Sequence, residues 1–294
     1  MKSLISLKNI EYIPENSKLF DKTNNPLILQ NISFDVKKGN ILSIVGESGS
    51  GKTTLAKLIA KIIQPTRGEI TFNLRTVKKN QPSPIQLLFQ NNEDIINPFR
   101  KIENLMNDLN PSQTQIDFVY GLVGIKKEIL NKKGFQLSGG ERQRVALARI
   151  LFANPDVLIA DEPFAAQDPD SKLRIANLFK TLNRKMDLTL VIVTHETDIL
   201  KTLSNEILVL YSGQIMEMGQ FDEIYNKPLH PYTKFLIDAN NYNLTLNQNK
   251  TGKSNSAVCP FYHKCGNRLD KCVDTVEKLS QGERFIYCNN PINR

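Results

Sequence analysis

The sequence predicts an α/β fold built on a mainly parallel sheet, and three features point there. Apolar, β-branched runs alternate with amphipathic stretches. A glycine-rich turn ending in Lys52 joins one such run to one such stretch, and a carboxylate pair, Asp161 and Glu162, closes another run. The expected strands are ILSIVG from Ile41, VLIAD from Val157, LTLVIVTH from Leu188, and ILVLY from Ile207 to Tyr211, which turns at Ser212-Gly213. Helices are expected after Lys52 and after Gly140. In the second, Val145, Ala148, Leu151 and Phe152 return to one face at helical spacing.

Between these elements the chain changes character twice. From about Asn91 to Lys133 it is polar, carries Asn97-Pro98 and Asn110-Pro111 and lacks strand runs, which predicts a small helical insertion leading into the helix that ends near residue 150. Residues 240–256 are Asn-rich and almost without apolar periodicity, the composition of a linker. The expected organisation is a core over 1–239, this linker, and a cysteine-bearing extension over 257–294 that is too short for a large core of its own.

Composition narrows the class without naming it. The 294 residues carry 38 Lys and Arg against 30 Asp and Glu, a net charge of +8. That balance suits an anionic ligand, nucleic acid or an anionic membrane surface, and equally a well-solvated basic protein. No stretch approaches the roughly 18 apolar residues of a spanning helix, and the N-terminal charges come too early for a secretory signal. All four cysteines fall between Cys259 and Cys288, which argues against a disulfide framework spread through a secreted domain.

The phosphate chemistry is carried by Gly46, Glu47, Ser48, Gly49, Ser50, Gly51, Lys52 and Thr53, with Thr54 following, in the pattern G-x-x-x-x-G-K-[ST]. A strand leads in and an apolar-periodic helix leads out. Glycines let backbone N–H groups curl around phosphate oxygens, and the helix directs its positive end at them. Lys52 would neutralise the β- and γ-phosphates and the Thr53 hydroxyl would ligate Mg²⁺. The bland alternative is a glycine-rich turn with an incidental lysine. Asp161 would hold Mg²⁺ and Glu162 would polarise water as general base, unless they are only an acidic strand end. Ser138, Gly139, Gly140 and Glu141, in LSGGERQR, form a third element, either an anion-binding nest or an ordinary capped helix start.

Taken together, the phosphate loop, the LSGGERQR run and the DE pair resemble the ATP-binding cassettes of ABC transporters, over roughly residues 3 to 237. This resemblance implies a P-loop NTPase core with an antiparallel β subdomain. It also implies roles for further residues. Gln90 resembles the Q-loop glutamine, a Mg²⁺ and water sensor that contacts membrane subunits. Asp168 resembles the D-loop aspartate at the dimer interface, and His195 the switch histidine at the γ-phosphate. Tyr12 resembles the aromatic that stacks on adenine, with Phe20 as competitor. NKPLHPYTKFL, from Asn226, is similar to a stretch of the oligopeptide, dipeptide and nickel importer ATPases. Asn92, Phe164 and Gln167 depart from the family's usual residues.

The resemblance further implies a head-to-tail pair of cassettes in which Ser138 and its glycines complete the partner's ATP site. The expected partners are a second homologous ATPase, two membrane permeases and an extracytoplasmic substrate-binding protein, with the chain peripheral at the cytoplasmic face of the membrane. No nucleic acid is expected, because cassettes of that kind carry two ATPase units or a long coiled-coil insertion. An exporter ATPase and a non-hydrolysing subunit are the other readings. Lys52, Asp161, Glu162 and His195 all being present weighs against the last.

Cys259, Cys265, Cys272 and Cys288 resemble the C-terminal cysteine motif of oligopeptide-importer ATPases, which implies a [4Fe-4S] cluster. Four thiolates suit tetrahedral zinc as well, and four unligated reduced thiols are the third reading. His263 is a possible substitute ligand.

Overall fold

The computed structural model describes residues 2–14, 26–78, 81–89, 96–165, 167–242 and 258–292. In chain order the strands are β1 (Ser3–Tyr12), β2 (Leu29–Lys37), β3 (Ile41–Val45), β4 (Arg67–Phe72), β5 (Ile85–Leu88), β6 (Val157–Asp161), β7 (Thr189–Thr194), β8 (Glu206–Tyr211), β9 (Gln214–Gln220), β10 (Lys278–Gln281) and β11 (Arg284–Tyr287). The helices are α1 (Lys52–Ile59), α2 (Ile102–Asn107), α3 (Gln113–Val123), α4 (Lys127–Leu130), α5 (Gly139–Phe152), α6 (Pro169–Met186), α7 (Phe221–Asn226) and α8 (Pro231–Tyr242). The predicted strands lie where the apolar runs placed them.

The large sheet runs β10-β11-β9-β8-β3-β7-β6-β5, and β5, β6, β7, β3 and β8 are parallel. Its central strands are buried along their whole length. The reason is that both faces are covered. Along β7, Leu190 and Ile192 pack with α5 and α6 residues such as Val145 and Phe179, while Val191 and Val193 pack with Leu55, Leu58 and Ile59 of α1. A strand buried on both faces reads as a continuous apolar run, without polar alternation. A second sheet, β2-β1-β4, is fully antiparallel and covers the α1 face with Ile5, Leu7, Ile10 and Ile32.

The polar stretch after residue 91 forms helices, α2 to α4, as expected, and they pack onto the core. Ile102, Met106, Val119 and Val123 are buried and continue the same cluster as α5. Helix α5 begins with a reciprocal cap: the Glu141 amide donates to Ser138 Oγ at 3.3 Å, and the Ser138 amide donates to Glu141 Oε2 at 2.9 Å. The expected linker lies mostly in residues outside those described.

The cysteine-bearing tail does not stand alone. Its β10–β11 hairpin joins the edge of the large sheet, with Phe285 opposite Met218 and Ile286 opposite Glu217. Glu217 is fully buried, and its carboxylate pairs with Arg284 and accepts from the amides of Leu229 at 3.1 Å and His230 at 3.0 Å. One carboxylate therefore fixes both the tail and the entry to α8.

His230 is buried, and its Nδ1 accepts from the Tyr232 amide at 3.0 Å. Burial pushes its pKa down to about 3 from the usual 6.5. The folded state thus refuses a proton that the unfolded state accepts, so this contribution to stability is complete above about pH 6.5 and is lost as pH falls toward 3. Replacing His230 with Asn keeps an acceptor and removes the titration. The expected outcome is that the melting midpoint of the His230→Asn chain falls less between pH 7 and pH 5 than that of the parent, measured by scanning calorimetry. Parallel pH dependences would refute this.

Candidate functional site

Three parallel strands bring the candidate residues to one edge. Val45 at the end of β3 is in register with Thr194 at the end of β7, and Val193 is in register with Asp161 at the end of β6. Gly46, His195 and Glu162 each follow directly, so the chain leaves the sheet three times at the same level. In open α/β sheets this carboxyl edge is where ligands bind. A cavity of about 910 Å³ opens there, lined by the loop from Gly46 to Thr54 together with Glu162 and His195.

The loop's geometry depends on its glycines at two places. Gly51 takes a φ of 101°, which side chains rarely adopt, and hands the chain to α1 at Lys52. At Gly46 a Cβ would meet the Leu210 carbonyl oxygen at 2.1 Å, so any side chain would push the loop off the sheet. Lys52 is buried, and its Nζ donates to the carbonyls of Gly46 at 2.9 Å and Glu47 at 2.8 Å. Burial lowers its pKa, against the opposing pull of Glu162, Asp161 and Glu47. Its charge is held inside the loop it closes, where an anion would be the stronger acceptor.

The carboxylates follow at the end of β6, where Glu162 lines the same cavity. Asp161 is buried; burial raises its pKa while a hydrogen bond from Thr53 opposes the rise. Among the described residues its Oδ1 has no hydrogen-bond partner. An orphaned buried carboxylate oxygen beside a hydroxyl is a hard, oxygen-rich pair that fits Mg²⁺. Glu162 sits at a φ of 49°, a costly conformation for a residue with a side chain, held by its amide donating to the Val193 carbonyl at 2.8 Å. This bend turns its carboxylate toward β7. There Thr194 Oγ1 donates to Oε2 at 3.2 Å and His195 Nδ1 lies 3.1 Å from Oε1. Burial would raise the Glu162 pKa, but His195 and Lys52 outweigh it and leave it lowered; the hydrogen bond to Glu162 raises that of His195.

Other expected residues lie elsewhere. Ser138, Gly139 and Gly140 are exposed and are not among the described residues lining the cavity. Among the described residues a Cβ at Gly139 would meet nothing within 4 Å, so they leave room for a side chain there. Asp168 caps α6 by accepting from the Ser171 amide at 2.9 Å, and hydrogen bonding from the Ser171 side chain and amide lowers its pKa. Tyr12 ends β1 opposite Leu29 and packs on the core, and it is not among the described lining residues. The apolar side of the cavity is instead Leu27, Ile28, Phe235, Leu236 and Ala239. The three on α8 went unread in the sequence, where the HPYT stretch pointed to the importer ATPases and not to the nucleotide cavity. Gln90, Asn92 and Phe20 lie outside the described residues.

The metal centre expected at Cys259, Cys265, Cys272 and Cys288 is not supported. The four side chains line one cavity of about 10 Å³ with His230 and Asn289, about the room one water needs. Among the described residues, no three Cys, His, Asp or Glu side chains are arranged to hold a metal ion. Burial pushes the Cys259 and Cys288 thiols up to about 11. His263 stacks edge-on against Tyr262.

Comparison with known proteins agrees with this geometry. Residues 29–165 match the ABC transporter family and residues 216–272 match the oligopeptide/dipeptide transporter C-terminal region. The chain is 31% identical to the dipeptide transport ATP-binding protein DppF of Haemophilus influenzae, over 92% of this chain and 90% of that one. It is 32% identical to the oligopeptide transport ATP-binding protein OppF of Streptococcus mutans, over 81% and 82%. Among solved structures, a dimeric ATP-binding cassette, MJ0796, bound to ADP and phosphate superimposes with a TM-score of 0.60 at 26% identity, covering 74% of this chain and 98% of that one.

Proposed function

The chain belongs to the ATP-binding proteins of ABC transporters, and from that premise we propose that it powers peptide uptake through separate membrane permeases. Its reaction is ATP hydrolysis coupled to transport. Among the described residues no helix is long and apolar enough to cross a membrane. We place it at the cytoplasmic face, bound to two permeases, with a second homologous ATPase as its pair and a substrate-binding protein outside. The peptide assignment is supported by the match of residues 216–272 to the oligopeptide/dipeptide C-terminal region and by the relatives' names.

The carrying observation is that the phosphate loop, Glu162 and His195 line one cavity at the carboxyl edge of β3, β6 and β7. Bound ATP gives Lys52 Nζ phosphate oxygens in exchange for the carbonyls of Gly46 and Glu47. Thr53 and Asp161 would hold Mg²⁺, which neutralises phosphate charge when bound. Glu162, ionised and oriented by Thr194 and His195, accepts a proton from the attacking water. Ser138, Gly139 and Gly140 are exposed, free to meet a partner cassette's nucleotide, and Asp168, which caps α6, is assigned to the dimer interface by resemblance. Clamping the γ-phosphate from two chains makes ATP the bridge, and its hydrolysis removes that bridge. Gln90 is assigned to the Mg²⁺ and permease contact, and Tyr12 to the base, by resemblance.

The test is uptake of a labelled oligopeptide into proteoliposomes holding the assembled transporter. Uptake should require ATP on the cassette side and stop with a Lys52→Ala chain. ATP-dependent uptake of nickel with none of peptide would redirect the substrate assignment, and hydrolysis without uptake of either would refute the importer reading.

A further inference from the structure

The hydroxyl of Tyr232 reaches the phosphate loop from outside it. The Glu47 amide donates to Tyr232 Oη at 3.0 Å, a contact 185 residues apart in sequence. Tyr232 is fully buried, and burial raises its pKa, so the phenol stays neutral across the physiological range. Glu47 is held at both ends: its amide by Tyr232 and its carbonyl by Lys52 Nζ. At the loop's far side the Gly213 amide donates to the Ser50 carbonyl at 2.9 Å. The loop is thus pinned at two points by elements that follow the last parallel strand.

Tyr232 is itself seated by the tail. Its ring lies 4.4 Å from that of Tyr211 and 5.4 Å from that of Phe261, and Phe261 meets Tyr211 edge-on at 5.5 Å. Phe261 is buried, two residues beyond Cys259, in a tight turn where the Tyr262 amide donates to the Cys259 carbonyl at 3.1 Å. A continuous packed path therefore runs from the cysteine-lined turn through Phe261 and Tyr232 to the backbone of the phosphate loop.

We propose that Tyr232 is a positioning residue of the nucleotide site, holding the Glu47 amide so that the phosphate loop is set before ATP arrives, and that Phe261 seats it. This rests on the nucleotide-site reading above. A loop without that anchor must be ordered by the ligand, so the cost appears in binding more than in the chemical step. Removing only the phenolic oxygen tests it. In the Tyr232→Phe chain the Kd for Mg-ATP should rise about 3- to 10-fold, the effect of one buried hydrogen bond. The kcat of the assembled transporter should stay within about twofold. Phe261→Leu should raise Kd in the same direction, and adding it to Tyr232→Phe should raise Kd no further, because its effect runs through the lost contact. Melting midpoints of each chain report packing separately. An unchanged Kd in Tyr232→Phe, or a fall in kcat with Kd unchanged, would overturn the proposal while leaving the ATPase reading intact. Additive effects of the two changes would overturn the path through Phe261. Parent protein that fails to bind Mg-ATP would overturn the nucleotide reading and this proposal with it.

Discussion

Replacing Glu162 with Gln is expected to lower steady-state ATP turnover of the assembled transporter by roughly 10²- to 10⁴-fold, the usual contribution of a positioned general base. The amide keeps the size of the side chain and can still bond Thr194 and His195, whose distances to the carboxylate are 3.2 Å and 3.1 Å. It cannot take a proton from water at neutral pH. Nucleotide affinity should hold, because Lys52 and the loop amides are untouched and one negative charge has left the anion's surroundings. A variant that loses binding and turnover together would make Glu162 a structural support for the site, not its base.

The second large effect is expected far from the chemistry. Glu217→Ala should destabilise the chain by about 3–5 kcal/mol, because it strands the buried guanidinium of Arg284. It also removes the acceptor for the Leu229 and His230 amides. Chemical denaturation measures the loss, and limited proteolysis should release the tail first, since β11 meets the sheet at Glu217. Pairing the change with Arg284→Met should recover part of the stability, as removing both charges costs less than removing one. A Glu217→Ala chain within about 0.5 kcal/mol of the parent would mean that solvent already reaches this pair.

Much of this was legible from local pattern. The runs 41–45 and 157–161 read as buried strands because both faces of each are covered, and the loop from Gly46 to Thr53 read as a phosphate cradle because a strand and a helix flank it. The capping pair Ser138 and Glu141 lies three residues apart and could be read from spacing alone. What pattern did not yield depends on contacts distant in sequence. Nothing in β9 marks Glu217 as the anchor of a hairpin 67 residues later. HPYT stood out as a motif, yet its tyrosine is explained only by Glu47, 185 residues away. The tail looked too short for a large core, and in want of a metal staple, because its core was sought within itself. Phe261 and Cys272 are instead buried, and Phe261 belongs to the main cluster of the ATPase core.

The measurement closest to the central claim is the identity of the nucleotide recovered from the assembled transporter after incubation with Mg-ATP. If Glu162 is the base of a site built on Lys52, the Glu162→Gln transporter should yield at least one unhydrolysed ATP per complex where the parent yields ADP. Equal recovery of ADP from both would contradict the account.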